Sequence, residues 1–194
     1  MVDRYEDKLG TYLVKITERE MSHEQNKQVS LFLHTISDFE RISDHAVNIS
    51  KTAAEIHEKH LEFSTDAERE LNVVSDAVSE IVRITVEAFT EGHRDTAMRV
   101  EPLEELIDDL CDEVKMRHVQ RIQTGDCTLS HGFVFNDLLT NFERVADHCS
   151  NIAVAMIELE ADVFDTHEYL NGVKQRKSEA FSRYYDEYRA QFPL

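Results

Sequence analysis

Tryptophan is absent from the 194 residues, and glycine (5), proline (2) and cysteine (3) are scarce. So little turn chemistry excludes a sandwich or barrel of many short strands and favours long uninterrupted helices. The three cysteines, Cys111, Cys127 and Cys149, are an odd set without CxxC spacing. Neither a disulfide scaffold nor a thiolate zinc site is expected, and a reducing compartment is. No apolar run approaches the ~18 residues that suggest a membrane span, and no signal-peptide core or Arg/Ser-rich start is present, so the stretch by itself reads as soluble. Positive charge is also short. Basic residues number 21 against 39 acidic ones, a formal net charge of -18. That field repels phosphate backbones and anionic membranes, so no nucleic-acid partner is expected, and it suits metal cations or a basic partner.

What the chain does have is an internal repeat. FERISDHAVNI at residues 39–49 returns as FERVADHCSNI at residues 142–152, identical at seven of eleven positions and offset by 103. Two halves built to one plan follow. In the first copy Phe39, Ile42, Ala46, Ile49, Ala53 and Ile56 share one helical arc; in the second, Phe142, Val145, Cys149, Ile152, Met156 and Leu159 do. Glu40 and Asp44 stack one turn apart at the edge of that arc, as do Glu143 and Asp147. Two acids at that spacing repel, and repetition of the cost implies something that offsets it. The plain alternative is neutralisation by Arg41, Arg144, His45 and His148 in surface ion pairs.

In chain order, residues 2–20 keep helical spacing from the start, through Val2, Tyr5, Leu9, Leu13 and Ile16, with Asp3 and Asp7 as a further acid pair. Ser22 and His23 break the pattern, and a second helix over about 24–59 carries the first signature. Thr65 with Glu68 reads as a capping box opening a third helix, which Gly92 ends. Pro102 falls early in a fourth helix, where a kink is expected. Leu103, Leu106, Ile107, Leu110 and Val114 form its buried face, with Glu104 and Asp108 at the edge. Gly125 reads as its C-cap and Thr128 as the cap of the fifth helix, which carries the second signature. A sixth opens at Thr166 and runs through Tyr169, Val173, Phe181, Tyr184 and Tyr188. The expected fold is all-α: two tandem antiparallel three-helix bundles, one over residues 1–92 and one over 93–194.

Packing the fourth helix beside the fifth brings Glu104, Asp108, Glu143 and Asp147 together as hard oxygen donors. The first half offers Asp3, Glu40 and Asp44, one fewer, because the residue that would precede Asp3 by a turn falls before residue 1. The chain is therefore expected to be cut from something longer. Such donors suit Mg, Mn, Ca or iron better than zinc, without excluding zinc. The signature histidines face the opposite edge of the carboxylate arc and read as hydrogen-bond or packing partners. A carboxylate-bridged di-iron enzyme would need ExxH pairs on two helices, and only Glu20 to His23 has that spacing, at a helix boundary. No P-loop, nucleophile elbow or dinucleotide turn occurs, so catalysis is not expected. A metal-independent helical adaptor is the other alternative.

The doubled FER(I/V)xDHxxNI, each copy preceded by a helix with an (E)xxxD element, resembles the PhoU family of phosphate regulators along essentially the whole chain. The tail HEYLNGVKQRKSEAFSRYYDEYRAQF and the RHVQRIQTGDC linker further resemble the cytoplasmic C-terminal region of sodium/phosphate cotransporter proteins. The resemblance implies metal clusters held by E(D)xxxD pairs and regulation of phosphate uptake or signalling without catalysis. Residue by residue it marks Asp3, Glu40, Asp44, Glu104, Asp108, Glu143 and Asp147 as metal ligands, with iron first and zinc, manganese or magnesium as alternatives. It implies a membrane phosphate transporter as partner, with the chain's own upstream transmembrane domain foremost, and a cytoplasmic place at the inner face of the membrane. Homodimerisation stays open.

Overall fold

The computed structural model describes residues 2–160 and 179–194. These form α1 (Val2–Thr17), α2 (His23–Glu58), α3 (Thr65–Glu91), the single turn α4 (Arg94–Ala97), α5 (Val100–Thr124), α6 (Leu129–Glu160) and α7 (Glu179–Gln191). Three long helices stand on either side of α4, and no strand occurs among the described residues. The all-α reading is therefore correct. The expected opening of the last helix at Thr166, with Tyr169 and Val173, lies outside the described residues.

Local chemistry sets most of the helix ends. Ser22 is the N-cap of α2: its hydroxyl accepts the Gln25 amide at 3.2 Å while the Gln25 side chain accepts the Ser22 amide at 2.9 Å, a reciprocal capping box. The cap of α3 falls one residue before Thr65, because Ser64 is the residue left extended and its hydroxyl accepts the Ala67 amide at 3.3 Å. Gly92 and Gly125 close α3 and α5 with φ of 68° and 82°, a left-handed conformation that costs glycine little. Thr128 accepts the His131 amide at 3.4 Å and caps α6, as its sequence position suggests. Pro102 sits in the first turn of α5, where no intrahelical amide bond is lost, so the cause expected for a kink does not operate.

α6 is the central helix. It packs on α2, α3 and α5, and its most extensive contact is with α2. The pairs His45–Asn141 and His148–Asp38 show α2 and α6 running antiparallel. α3 crosses from the first half to lie on both α5 and α6, α7 lies on α5, and α1 lies on α2. One core results, built from Val74, Ala77 and Ile81 of α3, Leu103, Leu106 and Ile107 of α5, Phe135, Leu139 and Ile152 of α6, and Tyr188 of α7. Each buried Val, Leu, Ile or Phe among them contributes about 1.5–3 kcal/mol, and truncating Ile107 to alanine would cost about 2–5 kcal/mol. The repeat is unequally buried. Phe142, Val145, Cys149, Ile152, Met156 and Leu159 are all buried, whereas Phe39, Ile42, Ile49 and Ile56 are half-buried and Ala46 and Ala53 exposed. The cause is the number of neighbours around each helix, not its pattern.

Candidate metal centre

Two carboxylate triads form at corresponding places in the repeat. Asp3 of α1 meets Glu40 and Asp44 of α2, with one oxygen from each lying within 4.8 Å of the others. Glu104 and Asp108 of α5 meet Asp147 of α6 under the same limit. Each triad joins the edge of a signature helix to the helix before it in the chain, since an i, i+4 pair on one helix faces the flank of its hairpin partner. The first set is exposed at Asp3 and Asp44 and partly buried at Glu40; in the second, Glu104 is buried, Asp147 intermediate and Asp108 exposed.

The electrostatics of the first triad bear out the cost implied by its spacing. Partial burial, followed by the charge and hydrogen bond of Asp44 and the charge of Glu6, holds the Glu40 carboxyl above the usual carboxylate range against the lowering effect of Arg41. Arg41 Nε lies 3.7 Å from Glu40 Oε2, and Arg144 Nη1 lies 3.0 Å from Asp147 Oδ2. Both arginines are largely exposed, so these ion pairs are present but weak.

Glu143 is not in the second triad. Its Oε1 accepts a hydrogen bond from Lys115 Nζ at 2.5 Å. Burial disfavours the Lys115 ammonium, but the hydrogen bond and charge of Glu143 more than offset it and raise its pKa. The expected convergence of four carboxylates thus becomes three, and the two halves offer equal donor sets. Lys115 escaped the sequence reading, although its place two turns beyond Asp108 on α5 puts it on the same flank.

His45 and His148 serve neither triad. Their rings stack across the α2–α6 seam, as packing partners. Cys149 is buried and its thiol pushed up to about 12 by burial, so it packs as a small apolar residue. All three cysteines are free.

A set of three carboxylate oxygens within 4.8 Å fits a hard cation, whose bonds to oxygen run from about 2.0 to 2.6 Å. The triads lie on helices that a family model also marks: the PhoU domain model matches residues 1–53 and 71–156. The chain belongs to the PhoU domain family. All six triad residues fall inside the match, and α7 falls outside it. The phosphate-specific transport system accessory protein PhoU homolog 1 of Thermotoga maritima is 26% identical over 150 residues, covering 77% of this chain and 63% of that protein. The chain therefore spans less than two thirds of that relative. The crystal structure of PhoU from Pseudomonas aeruginosa superposes with a TM-score of 0.77 over 84% of this chain and 77% of that one at 21% identity, which shows the shared fold. No helix among the described residues is long and apolar enough to cross a membrane.

Proposed function

We propose that this chain is a regulatory, non-catalytic domain of phosphate transport that binds metal cations through its two triads. Its partner in this reading is a membrane phosphate transporter, specifically a sodium-dependent cotransporter whose cytoplasmic C-terminal part the chain would form at the inner face of the membrane. The observation that carries the reading is the occurrence of two like triads at corresponding places in the halves of a PhoU-family chain. The name of the Thermotoga maritima relative supports the transport connection. Asp3, Glu40 and Asp44 would hold one cation, and Glu104, Asp108 and Asp147 another, with Glu143 able to join on leaving Lys115. Oxygen donors support iron, manganese or magnesium before zinc. A bound cation would supply the positive charge that lets these acids stay ionised side by side.

The test is thermal unfolding with Mn or Fe, with and without chelator, on the wild type, on Glu40→Gln/Asp44→Asn and on Asp108→Asn/Asp147→Asn. A ligand at 100 times its dissociation constant stabilises by about 2.7 kcal/mol, so metal should raise the wild-type midpoint by several degrees and each double variant by less. Metal that shifts neither wild type nor variants ends the metal reading. Phosphate uptake by cells producing the cotransporter with the same substitutions tests regulation, and unchanged uptake under both high and low phosphate would remove it. Steady oxygen consumption with ferrous iron would instead favour an oxidase.

A further inference from the structure

The connection between α5 and α6, together with the residues ahead of α3, borders a cavity of about 120 Å³ that no triad residue lines. His118 of α5, Cys127 of the connection and His131 of α6 share its wall with Glu62 and Asp126. His118 stands ten residues beyond Asp108, about 15 Å along α5 at 1.5 Å per residue.

The His118 imidazole is poorly served for a side chain only 4% exposed. Its Nδ1 has no hydrogen-bond partner, and its Nε2 faces the Cys127 sulfur at 3.7 Å. A thiol is a weak partner, and the Cys127 thiol has the Thr128 carbonyl at 3.6 Å as well. Buried polar atoms are nearly always paired, so a histidine kept for packing alone would be expected to find better. Nδ1 is unpartnered in either tautomer, so placing the proton there and leaving the Nε2 lone pair to an ion adds no new orphan. Burial, then the Arg121 charge, lowers the His118 pKa, so the ring is neutral near pH 7 and that lone pair is available.

The separation of the two donors fits one ion. A tetrahedral centre with sulfur at about 2.3 Å and nitrogen at about 2.0–2.1 Å sets those ligands about 3.6 Å apart. Among the described residues, three donors within 4.8 Å of one another occur only in the acid triads, so a third ligand here comes in by side-chain rotation. His131 is placed for it. Its Nδ1 lies 2.6 Å from the Thr128 hydroxyl; with that nitrogen donating, Nε2 keeps its lone pair, the outer-shell arrangement usual for a metal-binding histidine. The charge at the cavity also suits a cation. Arg121 is the positive side chain in its wall and is tied to Glu70, whereas Glu62 and Asp126 bring two carboxylates.

We propose that Cys127, His118 and His131 hold one zinc-class transition-metal ion, with a carboxylate of Asp126 or Glu62, or a water, in the fourth place. On binding, the Cys127 thiol gives its proton to solvent and its sulfur donates to the ion, as does Nε2 of each imidazole. Thiolate and imidazole are softer donors than the carboxylates of the triads, so the two kinds of site select different metals.

The experiment titrates the full chain, reduced and stripped by chelator, with cobalt(II) as a spectroscopic probe for zinc. A thiolate-to-cobalt charge-transfer band should rise in the near ultraviolet, which oxygen donors alone do not give, and added zinc should abolish it. Cys127→Ser should remove the band. His131→Gln should weaken cobalt binding by about tenfold or more, at least what loss of an outer-shell partner costs. Neither of these two residues is fully buried, so the fold, checked by circular dichroism, should survive. Combining Glu40→Gln/Asp44→Asn with Asp108→Asn/Asp147→Asn should leave the band in place, so this site can fail while the triads bind, and the reverse. No band with the wild type overturns the proposal, as does a band that survives Cys127→Ser, which would belong to Cys111 or Cys149. Unchanged affinity in His131→Gln, or loss of the band in the triad variant, overturns it too.

Discussion

His45 and His148 stack across the α2–α6 seam with ring centroids 5.6 Å apart and planes 28° from parallel. Each reaches past the other to the same position of the opposite repeat: His45 Nδ1 lies 2.9 Å from Asn141 Oδ1, and His148 Nδ1 lies 2.8 Å from Asp38 Oδ1. Asp38 and Asn141 are counterparts at the 103-residue offset, so this is one contact made twice about a pseudo-two-fold axis. The histidine of the repeated signature joins the halves, and the acids beside it face outward. The double-mutant cycle of His45→Ala and His148→Ala should show a coupling of about 0.5–1.5 kcal/mol, as for other stacked ring pairs. Additive losses in chemical unfolding would show that the rings meet without stabilising each other.

A second prediction concerns Glu70, which is only 2% exposed and lies between α3 and α5. Its Oε2 takes Arg121 Nη2 at 2.7 Å and its Oε1 takes Arg117 Nη1 at 3.3 Å. The two arginines are partly exposed and Arg117 keeps Glu113, so removing the buried carboxylate loses charge-assisted hydrogen bonds more than it strands a charge, and Glu70→Ala should cost about 1.5–3 kcal/mol. Urea unfolding measures it. A loss below about 1 kcal/mol would place this contact with ordinary surface pairs.

Under the proposed metal reading, Lys115→Gln should strengthen cation binding at the second triad. It removes the ammonium that holds Glu143 and frees a fourth carboxylate beside Glu104, Asp108 and Asp147. A gain of about tenfold in Mn affinity is expected, since a charge near the site is removed and a donor added. Titration followed by Mn electron paramagnetic resonance gives the number, and the Glu40/Asp44 site should not change. Weaker or equal binding at the second site would show that Lys115 does not compete.

The fourth prediction is a pH dependence through His118. Burial first, then the nearby Arg121 charge, lowers its pKa below the ordinary 6.5, and its ring stacks on Phe135 with centroids 4.2 Å apart. The unfolded chain therefore takes up a proton that the fold refuses. The stability from neutral His118 is fully present above pH 6.5, declines as pH falls below that value, and levels off beneath the folded-state pKa. His118→Phe keeps a flat ring and should lose less stability than wild type between neutral pH and the acid side of that window. Parallel curves for the two proteins, measured by denaturant midpoints across pH, would assign the acid loss to other groups.

Much of this molecule is visible in its sequence because helix signals are local. The 3.6-residue spacing of Val74, Val78 and Ile81, the glycines at 92 and 125, and Thr128 ahead of α6 each act within a turn or two of chain. The i, i+4 spacing of Glu40 with Asp44 and of Glu104 with Asp108 likewise fixes which acids share a flank, and the repeat tells which helices correspond. Thr65 was a weaker guide than Ser64 because both can cap, and the choice depends on which residue the incoming turn leaves extended.

The sequence by itself determined the elements, the repeat and the acid pairs, since each depends on residues no more than a few positions apart or on plain identity between the halves. The tertiary structure decided everything that depends on which helices become neighbours. It drew Glu143 to Lys115 across 28 positions of chain, so that Asp147 is met by two acids, Glu104 and Asp108, and the set numbers three and not four. It set His45 against His148 and carried α3 over to α5 and α6. The same apolar pattern is therefore buried at Phe142, half-buried at Phe39 and open at Leu9. A periodic stripe records that a face is apolar, but its burial is a property of the surfaces that meet it.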